Sequence, residues 1–199
     1  MDGMLAIVQS FILLLVIMDP VLSLAAFISL TKGKKNEECR AIAFKGVAVA
    51  ALVFLTFAFG GNILLQLLNV NIDSFKAAGG IILILMGVQL SLGISFPKDK
   101  NEDVVSEVAV VIGTPLISGP ATITSTILLV NEFGLTTTLI AGTAALVVVL
   151  ISLLAGTYIS KTLGRGGMQV LSTMMGIVTL AWGMQFVISG IQALLGVGP

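Results

Sequence analysis

Six long apolar stretches divide this chain, at about 4–30, 41–68, 74–95, 104–130, 135–159 and 168–195. A helix needs roughly 20 apolar residues to cross about 30 Å of hydrocarbon, so each stretch suffices for one crossing. Several are longer than that, which leaves room for tilt or a break. Only 10% of the residues are charged and 57% are hydrophobic. Soluble domains carry about 25% charged residues, so so few charges point to a chain surrounded by lipid. The expected fold is an all-α membrane protein, one transmembrane domain over residues 1–199. Met1-Asp2-Gly3 carries no basic lead-in of the kind that precedes a cleaved signal. Residues 4–18 are therefore read as the first half of a spanning segment.

Charge orients the spans. Basic loop residues gather on the cytoplasmic side of membrane proteins. Lys32, Lys34, Lys35, Arg40 and Lys45 follow the first span; Lys98 and Lys100 follow the third; Lys161 and Arg165 follow the fifth. Only Lys76 falls on the opposite side. The expectation is a multi-pass protein of the cell membrane with both termini outside. Cys39 then lies in a reducing compartment as a free thiol.

The two halves of the chain echo one another. Ile17-Met18-Asp19-Pro20-Val21 lies over Ile117-Ser118-Gly119-Pro120-Ala121, and Met86-Gly87-Val88-Gln89 over Trp182-Gly183-Met184-Gln185. A second glycine precedes each of the latter by seven residues, Gly80 and Gly176. Three spans per repeat is an odd number, so the repeats, about 1–97 and 98–199, are expected to be inverted. The glycine pairs put small residues on one helix face, the pattern of close helix packing.

Each repeat carries a proline deep within a span. Asp19 stands 15 residues from Met4 and 11 from Leu30; Gly119 stands 15 from Val104 and 11 from Val130. Proline lacks an N–H and clashes with the preceding turn, yet suits the first position of a helix. Helices 1 and 4 are thus expected to be discontinuous, restarting at Pro20 and Pro120 with Asp19 and Gly119 as N-caps. Backbone freed by such a break must be buried in protein or line a cavity. Interrupted helices in corresponding positions of inverted repeats point to a transporter's binding site. The expected substrate contacts are the N–H groups of Val21, Leu22, Ala121 and Thr122, the carbonyls around Ile17 and Ile117, Ser118, Gly119, and Asp19 itself. Donors and acceptors set close together suit a small polar solute of zero net charge, with its carboxylate on the N–H groups and its ammonium on carbonyls or Asp19. A carboxylate at mid-membrane is costly and is a functional candidate by default. Asp19 is the candidate for proton coupling; a simple N-cap is the plainer role for it.

Other chemistries find little support. The chain has no histidine and one cysteine, so neither a Cys/His metal site nor a Ser-His or Cys-His pair is available. Neither enzyme activity nor a metal or other cofactor is expected. A net charge of zero gives no footprint for nucleic acid. The partners expected are the bilayer, the solute, and a proton or sodium ion.

Asp19-Pro20, opening a helix that ends Phe27-Ile28-Ser29-Leu30-Thr31, and Thr114-Pro115-Leu116-Ile117-Ser118-Gly119-Pro120 together resemble the two signatures of the MarC family. The resemblance runs over the whole chain and is greatest to the archaeal SnatA-type small neutral amino acid transporters. It implies a secondary transporter of glycine and alanine, coupled to protons. The sequence departs from the family where a Gly-Asn often follows the first Asp-Pro and a Gly the second Gly-Pro; here Val21-Leu22-Ser23 and Ala121 stand. A small neutral-solute channel and a cation/proton antiporter are the alternatives. Asp19 would attract cations and suits the channel poorly, while a single deep carboxylate with no second charged partner weakens the antiporter.

Overall fold

The computed structural model describes residues 3–31, 34–92 and 119–197. These form α1 (Gly3–Met18), α2 (Pro20–Leu30), α3 (Asn36–Leu67), α4 (Ile72–Leu92), α5 (Pro120–Phe133), α6 (Leu135–Leu154) and α7 (Gly156–Leu194), with no strand among the described residues. Five stretches of these are long and apolar enough to cross a bilayer: Gly3–Leu24, Asn36–Leu67, Ile72–Leu92, Leu135–Leu154 and Gly166–Leu194. Of the stretch expected at 104–130, residues 104–118 lie outside the described residues, and α5 is its second half. Exposed faces are apolar too: Leu52, Phe59, Ile63 and Leu85 are each more than half exposed. Such surfaces are rare on water-soluble monomers and suit contact with lipid.

Local chemistry sets the ends of the helices. Helix α3 begins a full turn before the expected residue 41, with Glu37 and Glu38 in its first turn, where carboxylates meet the positive end of the helix dipole. It closes through Asn69, at φ 52°, with the Val70 N–H on the Leu65 carbonyl at 2.9 Å, a Schellman turn that satisfies a terminal carbonyl. The Asn71 side chain then accepts from the Asp73 N–H at 2.9 Å and starts α4. Gly134, at φ 85°, separates α5 from α6. Helix α7 contains one non-helical residue, Gly164 at φ 64° and ψ 179°, a conformation essentially confined to glycine.

The most extensive packing is between α4 and α7. A Cβ on Gly80 would stand 2.5 Å from the Gly183 carbonyl oxygen, and one on Gly183 2.8 Å from that of Gly80. Gly87 and Gly176 approach in the same reciprocal way, at 2.7 and 2.9 Å. A third contact, which the sequence pattern did not flag, sets Gly190 against Asp73 and Ala77. The helices therefore run antiparallel with their backbones in contact every seven residues, close packing that small residues permit. On the other side of the molecule α6 packs against α1 and α3, and α5 against α1, α3 and α4. Leu14, Ile17, Met18, Phe54, Leu129, Val149 and Leu153 are almost completely buried between these helices.

Candidate functional site

Helix α1 stops at Met18 and α2 starts at Pro20, with Asp19 alone between them. Asp19 is left-handed, at φ 36° and ψ 81°, a region L-residues avoid but Asp tolerates better than most. That turn folds its carboxylate back over the new helix. Oδ1 accepts from the Val21 and Leu22 N–H groups, each at 3.1 Å. The Ser23 N–H reaches the Asp19 carbonyl at 3.0 Å, and the Ser23 hydroxyl donates to the Met18 carbonyl at 3.1 Å. The Asp19 N–H donates to the Val16 carbonyl at 3.2 Å. Pro20, at the first position, has no N–H to satisfy.

Asp19 thus caps α2 as its position implied. The same geometry alters the expected ligand contacts, because the Val21 and Leu22 N–H groups already have a carboxylate acceptor. A ligand carboxylate would have to displace it. The other oxygen, Oδ2, accepts from the hydroxyl of Ser172 on α7 at 3.3 Å. Asp19 is fully buried and Ser172 nearly so. Sequence reading missed Ser172, which lies 153 positions away; no local pattern marks it.

Ile17 is fully buried in the core beside the break. Pro20 and Val21 line a small cavity of about 50 Å³ with Leu24, Ser152, Ile159, Met168 and Leu171. Its lining is almost wholly apolar and includes neither Asp19 nor Ser172.

Of the second break expected before Pro120, Ile117 and Ser118 lie outside the described residues, as do Thr114 and Pro115. Gly119 is extended, at φ −67° and ψ 178°, and precedes Pro120 at the first position of α5. It is the N-cap of α5, its carbonyl accepting from the Ile123 N–H at 3.0 Å, but it has no side chain to offer the first N–H groups. Ala121 and Thr122 follow, both buried, and the Thr122 carbonyl accepts from the Thr126 hydroxyl at 2.7 Å. Thr124, Ser125 and Thr126 are buried as well. The hydroxyls of Ser125 on α5 and Ser10 on α1 are buried without a hydrogen-bond partner among the described residues, and α1 packs against α5. A larger cavity of about 410 Å³ lies at the far end of α2, lined by Phe27, Ile28, Thr31, Lys34, Asn36, Cys39 and Arg40 among others. Cys39 is a free thiol. Among the described residues no cluster of acidic, histidine or cysteine side chains is suited to a metal ion.

Long apolar helices and a buried carboxylate at a helix break define a multi-pass integral membrane protein with a polar site in its interior. The chain belongs to the MarC family: the model of the MarC family integral membrane proteins matches residues 4–195. Similar proteins include a UPF0056 membrane protein of Pyrococcus horikoshii, 32% identical over 98% of this chain and all of the relative. Another, from Pyrococcus abyssi, is 31% identical over 98% of this chain and all of the relative. A third, from Aquifex aeolicus, is 30% identical over 94% of this chain and 93% of the relative. No solved structure matches.

Proposed function

We propose that this protein is a secondary transporter of small neutral amino acids, glycine and alanine foremost, coupled to protons through Asp19. The observation that carries the reading is the fully buried Asp19 carboxylate in the gap between α1 and α2. An intramembrane charge is expensive to keep and marks solute or proton pathways. A Ser or Asn would cap α2 equally well, so the charge itself calls for a role beyond capping. The SnatA-type resemblance supports the substrate class.

In this reading the chain is two inverted three-helix repeats with both termini outside. The reciprocal Gly80/Gly183 and Gly87/Gly176 contacts between antiparallel helices are what an axis relating the repeats would generate. The substrate ammonium lies near Asp19 and its carboxylate near the start of α5, around Gly119 and Ala121. Uptake of radiolabelled glycine into proteoliposomes under an imposed proton gradient tests the proposal. Accumulation that collapses with a protonophore is the expected result. No uptake in either gradient direction would remove the reading.

A further inference from the structure

The two oxygens of Asp19 have unequal commitments. Oδ1 holds two N–H groups of α2, and withdrawing it would uncap that helix. Oδ2 holds a single hydroxyl, Ser172, at 3.3 Å. A hydroxyl on a carboxylate normally sits at about 2.5–2.7 Å, so this bond is long and exchangeable. An ammonium would bind the same oxygen at about 2.7–2.9 Å and with a full charge.

Ser172 also stands at a mechanical junction. Met168 and Leu171, on the same stretch of α7, face Pro20 and Val21 across the small cavity. One turn further along, Gly176 begins the seam of backbone contacts with α4 that runs on through Gly183 and Gly190. The neighbouring Thr173 hydroxyl donates to the Ser91 carbonyl of α4 at 3.5 Å. A displacement of α7 at Ser172 therefore moves α4 as well. The α4–α7 pair is joined to the other helices less extensively than its members are joined to each other.

We propose that Ser172 is the positioning residue that reports occupancy of Asp19 to the α4–α7 pair. The inference rests on the transporter reading above. An arriving primary ammonium takes Oδ2, the Ser172 hydroxyl is displaced, and α7 with α4 is released from α2. Oδ1 stays on Val21 and Leu22 throughout, so α2 keeps its cap. The substrate class that drives the exchange is a small solute with a free ammonium; an N-acylated analogue of the same size does not.

The test compares wild-type protein, Ser172→Ala, Ser172→Thr and Ser172→Cys in glycine-uptake proteoliposomes, with Ser189→Ala as a control elsewhere on α7. Removing the hydroxyl removes a competitor from Oδ2, so Ser172→Ala lowers the KM for glycine by about tenfold, the scale of one hydrogen bond to a charged group. Its maximal rate falls by about as much, because the exchange no longer signals to α7. Ser172→Thr restores both values, Ser172→Cys gives intermediate ones, and Ser189→Ala matches wild type. A Ser172→Ala protein with unchanged KM, whatever its rate, overturns the inference while wild-type uptake leaves the transporter reading standing. Absence of uptake by wild type overturns both. A second measurement needs no substrate: amide hydrogen exchange over residues 168–176 rises in Ser172→Ala, and unchanged exchange there also overturns the proposal.

Discussion

Helices α2 and α5 both open on a proline but differ in the residue before it. At the first, Asp19 turns left-handed and lays a carboxylate over the start of α2. At the second, Gly119 is extended and offers no side chain to α5. Capping by Asp satisfies the N–H groups of its own helix, so the first break is closed to anions and presents negative charge through Oδ2. Gly119 brings no charge of its own to the start of α5. In the transport reading proposed above, the contrast gives the interior a direction: the substrate ammonium goes to the start of α2 and its carboxylate to the start of α5.

Substitutions at Asp19 test that polarity hardest. Asp19→Ala leaves the Val21 and Leu22 N–H groups and the Ser172 hydroxyl without their acceptor. A loss of about 3 kcal/mol of stability is expected, measured by thermal unfolding in detergent, together with loss of uptake. Asp19→Asn keeps an oxygen for the cap and removes the charge, so stability is nearly preserved. Proton-driven glycine uptake then falls by roughly a hundredfold, the scale for losing one partner of a buried charge contact. Equal uptake by Asp19→Asn and wild type would reduce the first break to a helix cap.

Smaller effects refine the comparison. Gly176→Ala sets a Cβ 2.6 Å from the Ser91 hydroxyl and 2.7 Å from its backbone nitrogen. Overpacking of this kind costs about 1–3 kcal/mol and is expected to lower both stability and the Ser172-dependent part of uptake. Lys76→Gln breaks the 3.8 Å ion pair with Glu132 at the far end of α5; Glu132 is nearly half exposed, so the change is about 0.5 kcal/mol or less by thermal unfolding. Gly119→Ser gives the second break the side-chain cap it lacks. A gain of about 0.3 kcal/mol is expected, with a raised KM for glycine because the new hydroxyl competes for the α5 N–H groups.

Much of this was legible in the sequence because the signals are local or periodic. Apolar length gave the helices, and Pro20 after Asp19 gave both the restart and the cap. The seven-residue glycine spacing gave the close packing of α4 on α7. The partner of Asp19 Oδ2 was not legible, since Ser172 meets it only through tertiary packing and sits in an ordinary helical stretch. Gly190 escaped because its counterpart on α4 is the Asp73–Ala77 backbone, where no glycine completes the pattern. The interruption at Gly164 falls in the loop expected between the stretches at 135–159 and 168–195, but the chain is helical on both sides of it. The availability of the Val21 and Leu22 N–H groups was misjudged because an Asp N-cap uses the N–H groups at the second and third helical positions for itself.

The pairing of α4 with α7 has a consequence for biogenesis. The two helices are separated along the chain by α5 and α6, so Gly80 and Gly87 meet their α7 partners only once the final span has left the ribosome. Ser172 arrives with that same span. Until then the nascent chain holds an intramembrane carboxylate without its hydroxyl and a stretch of nearly bare helical backbone without α7 against it. A chain that ends before residue 172 therefore lacks both the hydroxyl on Asp19 and the helix that covers Gly80 and Gly87, however well its earlier helices have inserted.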